Sequence, residues 1–216
     1  MKAVIFDMDG VLIDSEPVMR KSAILALEDY GIKACDDDFY PFTGRGEDIF
    51  VGGVAEKHGV KYIPEMKARA YEIYTRIVDR EAGFFEGIPE TIEKLHSLGY
   101  ALAVASAADS IKVIANIRAA GIPREHLGAV VTGEDVSVKK PAPDAFLEAA
   151  KRLGARPEEC VVIEDAPSGL KAAQNAGMNC IGITSTFSAD ELKAAGADRT
   201  AEKTMMIVPL IKELLP

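Results

Sequence analysis

The stretch AVIFDMDGVLIDS, residues 3–15, decides the fold, because a short apolar run in it ends on two aspartates and a glycine. Four consecutive apolar residues bounded by charge are typical of a strand that is buried on both faces of a parallel sheet. Asp7 and Asp9 follow at the carboxyl end of this predicted strand. Ligands of open α/β sheets bind outside that end of the strands, so we expect both carboxylates at a functional site.

Similar apolar runs recur downstream and alternate with helical patterns. They are ALAVAS (101–106), AVVTG (129–133), CVVIED (160–165) and CIGIT (180–184). The helical patterns between them close on glycines, as helix C-termini commonly do. Strands that alternate with helices of this length predict right-handed crossovers and a doubly wound parallel sheet. We therefore predict an α/β core domain formed by residues 1–14 and 87–216.

Residues 15–86 interrupt this alternation. Three helical patterns lie there, at residues 16–31, 47–59 and 65–83, and no convincing strand accompanies them. The first strand still needs neighbours from residue 101 onward to form a sheet, so we predict that residues 15–86 are an inserted all-helical domain. Its acidic run at residues 36–38 is expected to be a solvated helix start, because acidic side chains favour the first turn of a helix.

Composition excludes several classes of partner. The chain has 216 residues and a net charge of −9, and no cluster of Lys and Arg suits a nucleic-acid backbone. No apolar run approaches the roughly 18 residues of a membrane span, and the strand-like start leaves no room for a signal peptide. Cys35, Cys160 and Cys180 form no CxxC pair, so we expect buried reduced thiols and a cytoplasmic protein.

Polar residues stand at the end of each predicted strand or soon after it. Apart from the first two aspartates, they are Ser106, Lys140, Glu164 and Asp165. Carboxylates gathered at one edge of the sheet would repel one another, and a bound divalent cation would neutralise them. Ligands that offer only oxygen favour Mg²⁺, which also accepts phosphate oxygens of a substrate. We therefore predict an Mg²⁺ site at this edge.

Given a metal, the two leading aspartates can take different roles. Asp7 is placed to attack phosphorus and to form an aspartyl-phosphate. Asp9 can act as general acid for the leaving oxygen and then as general base, and its backbone carbonyl can face the metal. Ser106 and Lys140 would hold the phosphoryl oxygens as charge spreads in the transition state. By itself, Asp-x-Asp-Gly also fits a turn or a calcium loop, although Val11 stands where an EF-hand needs another oxygen ligand.

Four stretches together carry a family resemblance. DMDG (7–10), AS (105–106), KKPAPD (139–144) and IEDAPSG (163–169) resemble the ordered motifs of the haloacid dehalogenase superfamily. Within it, the chain resembles the phosphatases and β-phosphoglucomutase-like proteins that carry a helical cap between the first two motifs. The resemblance implies a Rossmann-like core and Mg²⁺ bound by Asp7, the Asp9 carbonyl and Asp165, with Glu164 close by. It also implies a phosphate site at Ser106, Ala107 and Lys140.

Two departures from the family pattern bear on the reaction. Ala107 and Ala108 follow Ser106, which removes a side-chain hydroxyl from the phosphate site. Met19 stands where the mutases carry a histidine that assists transfer between two hydroxyls, so hydrolysis is favoured over a mutase reaction. Arg45, in a glycine-flanked loop of the helical segment, is a candidate ligand for a substrate anion, with a surface charge as the alternative.

The sequence therefore predicts an Mg²⁺-dependent phosphatase of a small phosphorylated metabolite, such as a sugar phosphate. It would act through an aspartyl-phosphate at Asp7 under a closing helical cap. Two alternatives are a phosphomutase of the β-phosphoglucomutase type and a non-catalytic binding module that retains the fold. We expect a monomer that binds neither nucleic acid nor a membrane. Cap loops supply specificity, so the sequence does not name the substrate.

Overall fold

A six-stranded parallel sheet forms the centre of the structure, a computed structural model that describes residues 1–42 and 46–216. In chain order the strands are β1 (Ala3–Phe6), β2 (Ile13–Asp14), β3 (Gly83–Phe84), β4 (Ala101–Ala105), β5 (Leu127–Val131), β6 (Cys160–Glu164), β7 (Asn179–Ile183) and β8 (Arg199–Ala201). The order across the large sheet is β5-β4-β1-β6-β7-β8, and β2 pairs with β3 separately. β4 and β5 are added on one side of β1 and β6 to β8 on the other, so the strand order switches beside β1 and the first strand lies inside the sheet.

Helices cover both faces of the sheet. In chain order they are α1 (Glu16–Glu28), α2 (Asp36–Phe39), α3 (Glu47–Lys57), α4 (Pro64–Glu81), α5 (Ile88–Ser97), α6 (Ser110–Ala119), α7 (Asp144–Leu153), α8 (Pro167–Asn175), α9 (Ala189–Ala194) and α10 (Ile207–Leu214). Alternate residues of β1 point to opposite faces, so Val4 and Phe6 pack with α5, α6 and α10, while Ala3 and Ile5 pack with α7, α8 and α9. Burial on both faces explains why the strands read as continuous apolar runs.

The predicted α/β sheet is confirmed, and all five predicted strands are present within two residues of their expected bounds. Three short strands, β2, β3 and β8, were not predicted. The edge strand β8 has only three residues, Arg-Thr-Ala, and they are largely polar. β3 lies inside the segment that was predicted to contain no strand, where two exposed residues pair with β2.

Helices α1 to α4 occupy the chain between β2 and β3. These two strands pair antiparallel, Ile13 with Phe84 and Asp14 with Gly83, so the chain enters and leaves the helical segment at the same place. Helix α4 packs against α1 on one side and against α6 of the sheet-covering layer on another. The division into a core domain and a cap domain with hinges at these crossings stays a prediction.

Two smaller expectations hold only in part. The acidic run does start helix α2, and its first two residues are exposed. Asp38 is buried rather than solvated, because it accepts hydrogen bonds from the Lys57 ammonium at 2.7 Å and from the Cys35 backbone N–H at 2.9 Å. These contacts lower the pKa of the Asp38 carboxyl. Cys35 is exposed, whereas Cys160 and Cys180 are buried as expected, and all three are free thiols. Among the helices that the structure describes, none is long and apolar enough to cross a membrane.

Candidate active site

The register of the parallel strands aligns the carboxyl ends of β1, β4 and β6, where the sequence motifs lie. Phe6, the last residue of β1, lies opposite Val104 in β4 and Ile163 in β6. The Asp7 backbone N–H then donates to the Ile163 carbonyl at 2.9 Å. Because parallel strands end at the same edge, the residues at or just after the strand ends meet there: Asp7, Ser106 and Glu164 with Asp165.

Lys140 joins two of these strand ends. Its ammonium donates to Asp7 Oδ1 and, at 2.6 Å, to Glu164 Oε1, and it lies over the Phe146 ring. The pKa of Lys140 is raised above its ordinary value, since Asp7 and Glu164 outweigh burial, which alone would lower it. The neighbouring Lys139 is exposed and donates to the Ala107 carbonyl instead. The structure thus places Lys140, rather than Lys139, among the carboxylates.

Protein donors also hold Glu164 and Asp165. Glu164 Oε2 accepts the backbone N–H groups of Asp165 and Ala166, both at 2.7 Å, and Asp165 Oδ2 accepts the Thr186 hydroxyl. Two close backbone approaches require glycine. A Cβ on Gly10, whose φ is +78°, would lie 2.1 Å from Asp165 Oδ2, and one on Gly169 would lie 1.6 Å from Glu164 Oε1.

The carboxylates at this edge fit a divalent cation. One oxygen from each of Asp7, Glu164 and Asp165 lies within 4.8 Å of the others. Burial, together with repulsion from Glu164, raises the pKa of Asp7 to about 8 and the pKa of Asp165 to about 7, and Lys140 only partly opposes the rise. When both carboxyls are ionised, the cluster carries more negative charge than Lys140 offsets. Since both Glu164 oxygens already accept hydrogen bonds, Asp7 and Asp165 are the more available ligands.

Binding of Mg²⁺ should therefore release protons near pH 7. Both carboxyls have raised pKa values without metal, and a metal ligand must be ionised, so the apparent affinity for Mg²⁺ should rise between pH 6 and pH 8. Calorimetry in PIPES and in Tris, whose ionisation enthalpies differ, measures the released protons. The Asp165→Asn variant should release fewer. Equal binding heats in the two buffers would show that both carboxyls are already ionised.

Asp9 lines the same pocket as Asp7, and its carboxylate has two partners. Its Oδ1 accepts the Ser15 hydroxyl, and its Oδ2 accepts the Lys112 ammonium at 2.9 Å. Lys112, in the first turns of α6, lies also 3.7 Å from Glu47 Oε1 at the start of α3. Lys112 was not predicted from the sequence. The available signal was that Lys112 and Asn116 are polar residues four apart on one face of a helix, a face that the structure shows to be buried.

The predicted phosphate-site residues surround one pocket of about 500 Å³. Ser106 is buried, and its hydroxyl oxygen accepts the Ala108 backbone N–H at 3.2 Å. Ala107 lines the pocket beside it. From the helical segment the pocket is lined by Glu16, Met19, Arg20, Glu47 and Phe50. The structure thus brings together the predicted site residues, except Arg45, which lies outside the described residues.

The protein is therefore an open-sheet α/β protein, a class that binds its ligands at the carboxyl edge of the sheet, and its carboxylates surround a pocket at that edge. Residues 4–183 match the family model for haloacid dehalogenase-like hydrolases. The chain belongs to this family, and the resemblance inferred from the four motifs is confirmed.

The chain is also similar over most of its length to individual named proteins. The chain is 46% identical over 200 residues to the Arabidopsis thaliana protein SUPPRESSOR OF QUENCHING 1, chloroplastic; the match covers 91% of the chain but only 19% of that protein. It is 30% identical to the validoxylamine A 7'-phosphate phosphatase of Streptomyces hygroscopicus subsp. limoneus, over 90% of the chain and 91% of that enzyme.

A solved structure shares the whole architecture. CbbY from Rhodobacter sphaeroides, in complex with phosphate, superposes with a TM-score of 0.84 at 27% identity, over 96% of both chains. A mutant of CbbY has been solved with xylulose-(1,5)bisphosphate, and it matches with a TM-score of 0.83 at 26% identity over 96% of both chains. The likeness therefore extends through the helical segment as well as the sheet.

Proposed function

We propose that the protein is an Mg²⁺-dependent phosphatase of a small phosphorylated metabolite, such as a sugar phosphate. The observation that carries the proposal is the placement of Asp7, held by Lys140, in one pocket with Asp9, Ser106 and Asp165. The relatives add support, since one is named as a phosphatase and CbbY was solved with phosphate and with a sugar bisphosphate.

Asp7 would act as the nucleophile. Its Oδ1 is engaged by Lys140, so its other oxygen is free of that contact and can form the bond to phosphorus. The bond between phosphorus and the substrate oxygen breaks, and Asp9 gives a proton to the departing oxygen. Asp9 then takes a proton from water, which attacks the aspartyl-phosphate and releases inorganic phosphate. The same carboxyl therefore serves as acid in the first half and as base in the second.

Lys140 and Ser106 would hold the phosphoryl group. A lysine ammonium has three donor hydrogens, of which two point at Asp7 and Glu164, so one remains for a phosphoryl oxygen. The Ser106 hydroxyl hydrogen is also available, because its oxygen serves as acceptor for Ala108. Asp7, Asp165 and the Asp9 carbonyl would hold Mg²⁺, which would supply further positive charge to the phosphoryl oxygens.

The helical segment would act as the cap that encloses the substrate. Met19 and Phe50 give the pocket an apolar wall, and the paired crossings β2 and β3 are where residues 15–86 would hinge. Met19 is a thioether without a titratable proton, which favours hydrolysis over a mutase reaction at this position. We further propose a monomer; a cytoplasmic location also stays a proposal, since the Arabidopsis relative is chloroplastic by name.

A panel of phosphate esters tests the proposed function. We expect Mg²⁺-dependent phosphate release from some sugar phosphates and loss of that release when EDTA removes the metal. With β-glucose 1-phosphate, free phosphate should exceed glucose 6-phosphate. A dominant isomerised product would favour the phosphomutase alternative. Release of no phosphate from any ester would overturn the proposal and leave a binding module that retains the fold.

A further inference from the structure

Lys112 is a buried cation that the mechanism above does not use. Its side chain is 7% exposed, and its ammonium lies between Asp9 of the sheet edge and Glu47 of the helical segment. The Glu47 side chain is also largely buried, at 11% exposed. A lysine is rarely buried without a paired charge, so this lysine needs both carboxylates around it.

The contacts of Lys112 fix the orientation of Asp9. The Lys112 ammonium donates to Asp9 Oδ2 at 2.9 Å, and the Ser15 hydroxyl donates to Asp9 Oδ1. Both oxygens of the carboxylate are therefore held by hydrogen bonds. Lys112 itself is anchored on α6, where Asn116, one turn further along, accepts the Tyr74 hydroxyl of α4. The direction of the Asp9 carboxylate therefore depends on how α6 packs against the helical segment.

We propose that Lys112 is a positioning residue for Asp9: it aims this carboxyl at the leaving oxygen and links its placement to the docking of Glu47 at the start of α3. The inference rests on the proposed phosphatase function. A phosphate ester with a poor leaving group needs a well-placed proton donor, whereas one with a good leaving group departs without it. Loss of Lys112 should therefore harm the two kinds of ester unequally.

Lys67 provides a matched control. It also bridges the helical segment and the sheet-covering layer, with its ammonium 2.7 Å from Asp48 in α3 and 2.9 Å from Asp109 before α6. None of its hydrogen bonds among the described residues reaches Asp9. Lys67→Met therefore removes a lysine bridge between the same two parts of the molecule without touching the acid/base residue.

The test compares kcat/KM on p-nitrophenyl phosphate and phenyl phosphate, which have similar shapes but different leaving groups. This parameter includes only steps up to departure of the phenol, so hydrolysis of the aspartyl-phosphate does not enter it. A general acid contributes about 10²–10⁴-fold, so we expect Lys112→Met to lose roughly 100-fold on phenyl phosphate and less than about 5-fold on p-nitrophenyl phosphate. Lys112→Arg should recover part of the selective loss, and Lys67→Met should change both esters by the same factor.

Each remaining outcome has a definite meaning. Equal losses on the two esters, or no loss, in an active and folded Lys112→Met protein would overturn the positioning role alone. If Lys112→Met does not fold by circular dichroism, Glu47→Gln carries the test, with an expected selective loss of about 5-fold on phenyl phosphate. No selectivity in that variant would likewise overturn the inference. A wild-type protein that releases phosphate from neither aryl ester nor any ester of the panel with Mg²⁺ would overturn the proposed function and this inference with it.

Discussion

Asp7→Asn should abolish phosphate release, with kcat reduced by about 10⁴-fold or more, because the variant lacks the attacking carboxylate. Asparagine keeps the shape of the side chain, and its amide oxygen can still accept the Lys140 ammonium. The pocket would therefore survive while the nucleophile is lost. Steady-state assays with an ester that the wild-type protein hydrolyses measure the effect.

The same variant should stabilise the metal-free protein. Burial raises the pKa of Asp7 to about 8, so the folded state holds a proton that the unfolded state has already lost, and stability falls as pH rises from about 4 to 8. Asparagine carries no charge to bury, and we expect a gain of about 1–2 kcal/mol at pH 8 without metal. Denaturation with urea at pH 5 and pH 8 checks the sign, because the gain should shrink at the lower pH.

Asp37→Asn is a matched control in the exposed first turn of α2. It removes the same charge at a residue that does not line the pocket, so both activity and its pH dependence should stay within error of the wild type. Substantial turnover by Asp7→Asn, measured on protein free of deamidation, would exclude Asp7 as the nucleophile. An unchanged stability at pH 8 would contradict only the raised pKa.

Lys140→Met should cost about 3–5 kcal/mol of stability in the metal-free protein, because removal of one partner leaves buried carboxylates without their counter-charge. Among the residues that the structure describes, Lys140 is the cation in direct contact with both Asp7 and Glu164. Glu164 is 2% exposed, so water cannot replace the ammonium easily. Urea denaturation at pH 7.5, with and without Mg²⁺, measures the loss.

Two features separate this prediction from a general packing defect. Mg²⁺ should stabilise Lys140→Met more than the wild type, since the variant has more uncompensated negative charge for the cation to neutralise. Activity with saturating Mg²⁺ should still fall by about 10²-fold or more, because a donor to the phosphoryl oxygens is lost. Equal stabilisation of both proteins by Mg²⁺ would contradict the charge argument.

The neighbouring lysine again supplies the control. Lys139 is exposed and contacts the Ala107 carbonyl at 3.3 Å, outside the carboxylate cluster. Lys139→Met should change stability by less than about 0.5 kcal/mol, as surface substitutions usually do. A Lys139 effect as large as the Lys140 effect would mean that the cost arises from the loop rather than from the buried ion pairs.

The sequence by itself determined the sheet and the site at its edge. Strands β1, β4 and β6 are buried on both faces, so each had to be a continuous apolar run, and that requirement is visible locally. Asp7 and Asp165 directly follow such strands, and Ser106 follows another. Because parallel strands end at the same edge of a sheet, these positions were enough to predict that the residues lie together there. The four ordered motifs also identified the haloacid dehalogenase family, and the match to the family model confirms this assignment.

Tertiary structure decided which side chains hold these residues. Asp9 and Lys112 are 103 positions apart, and their contact depends on how α6 lies beside the sheet edge, which no local pattern encodes. Asp38 reads as a solvated charge in sequence, yet Lys57 and His58 surround it because α2 folds against the end of α3. Hydrophobic periodicity specifies which face of an element is buried. The charged partner that a residue finds there depends on the packing angle and separation of elements that are distant in the chain, and only the folded structure fixes both.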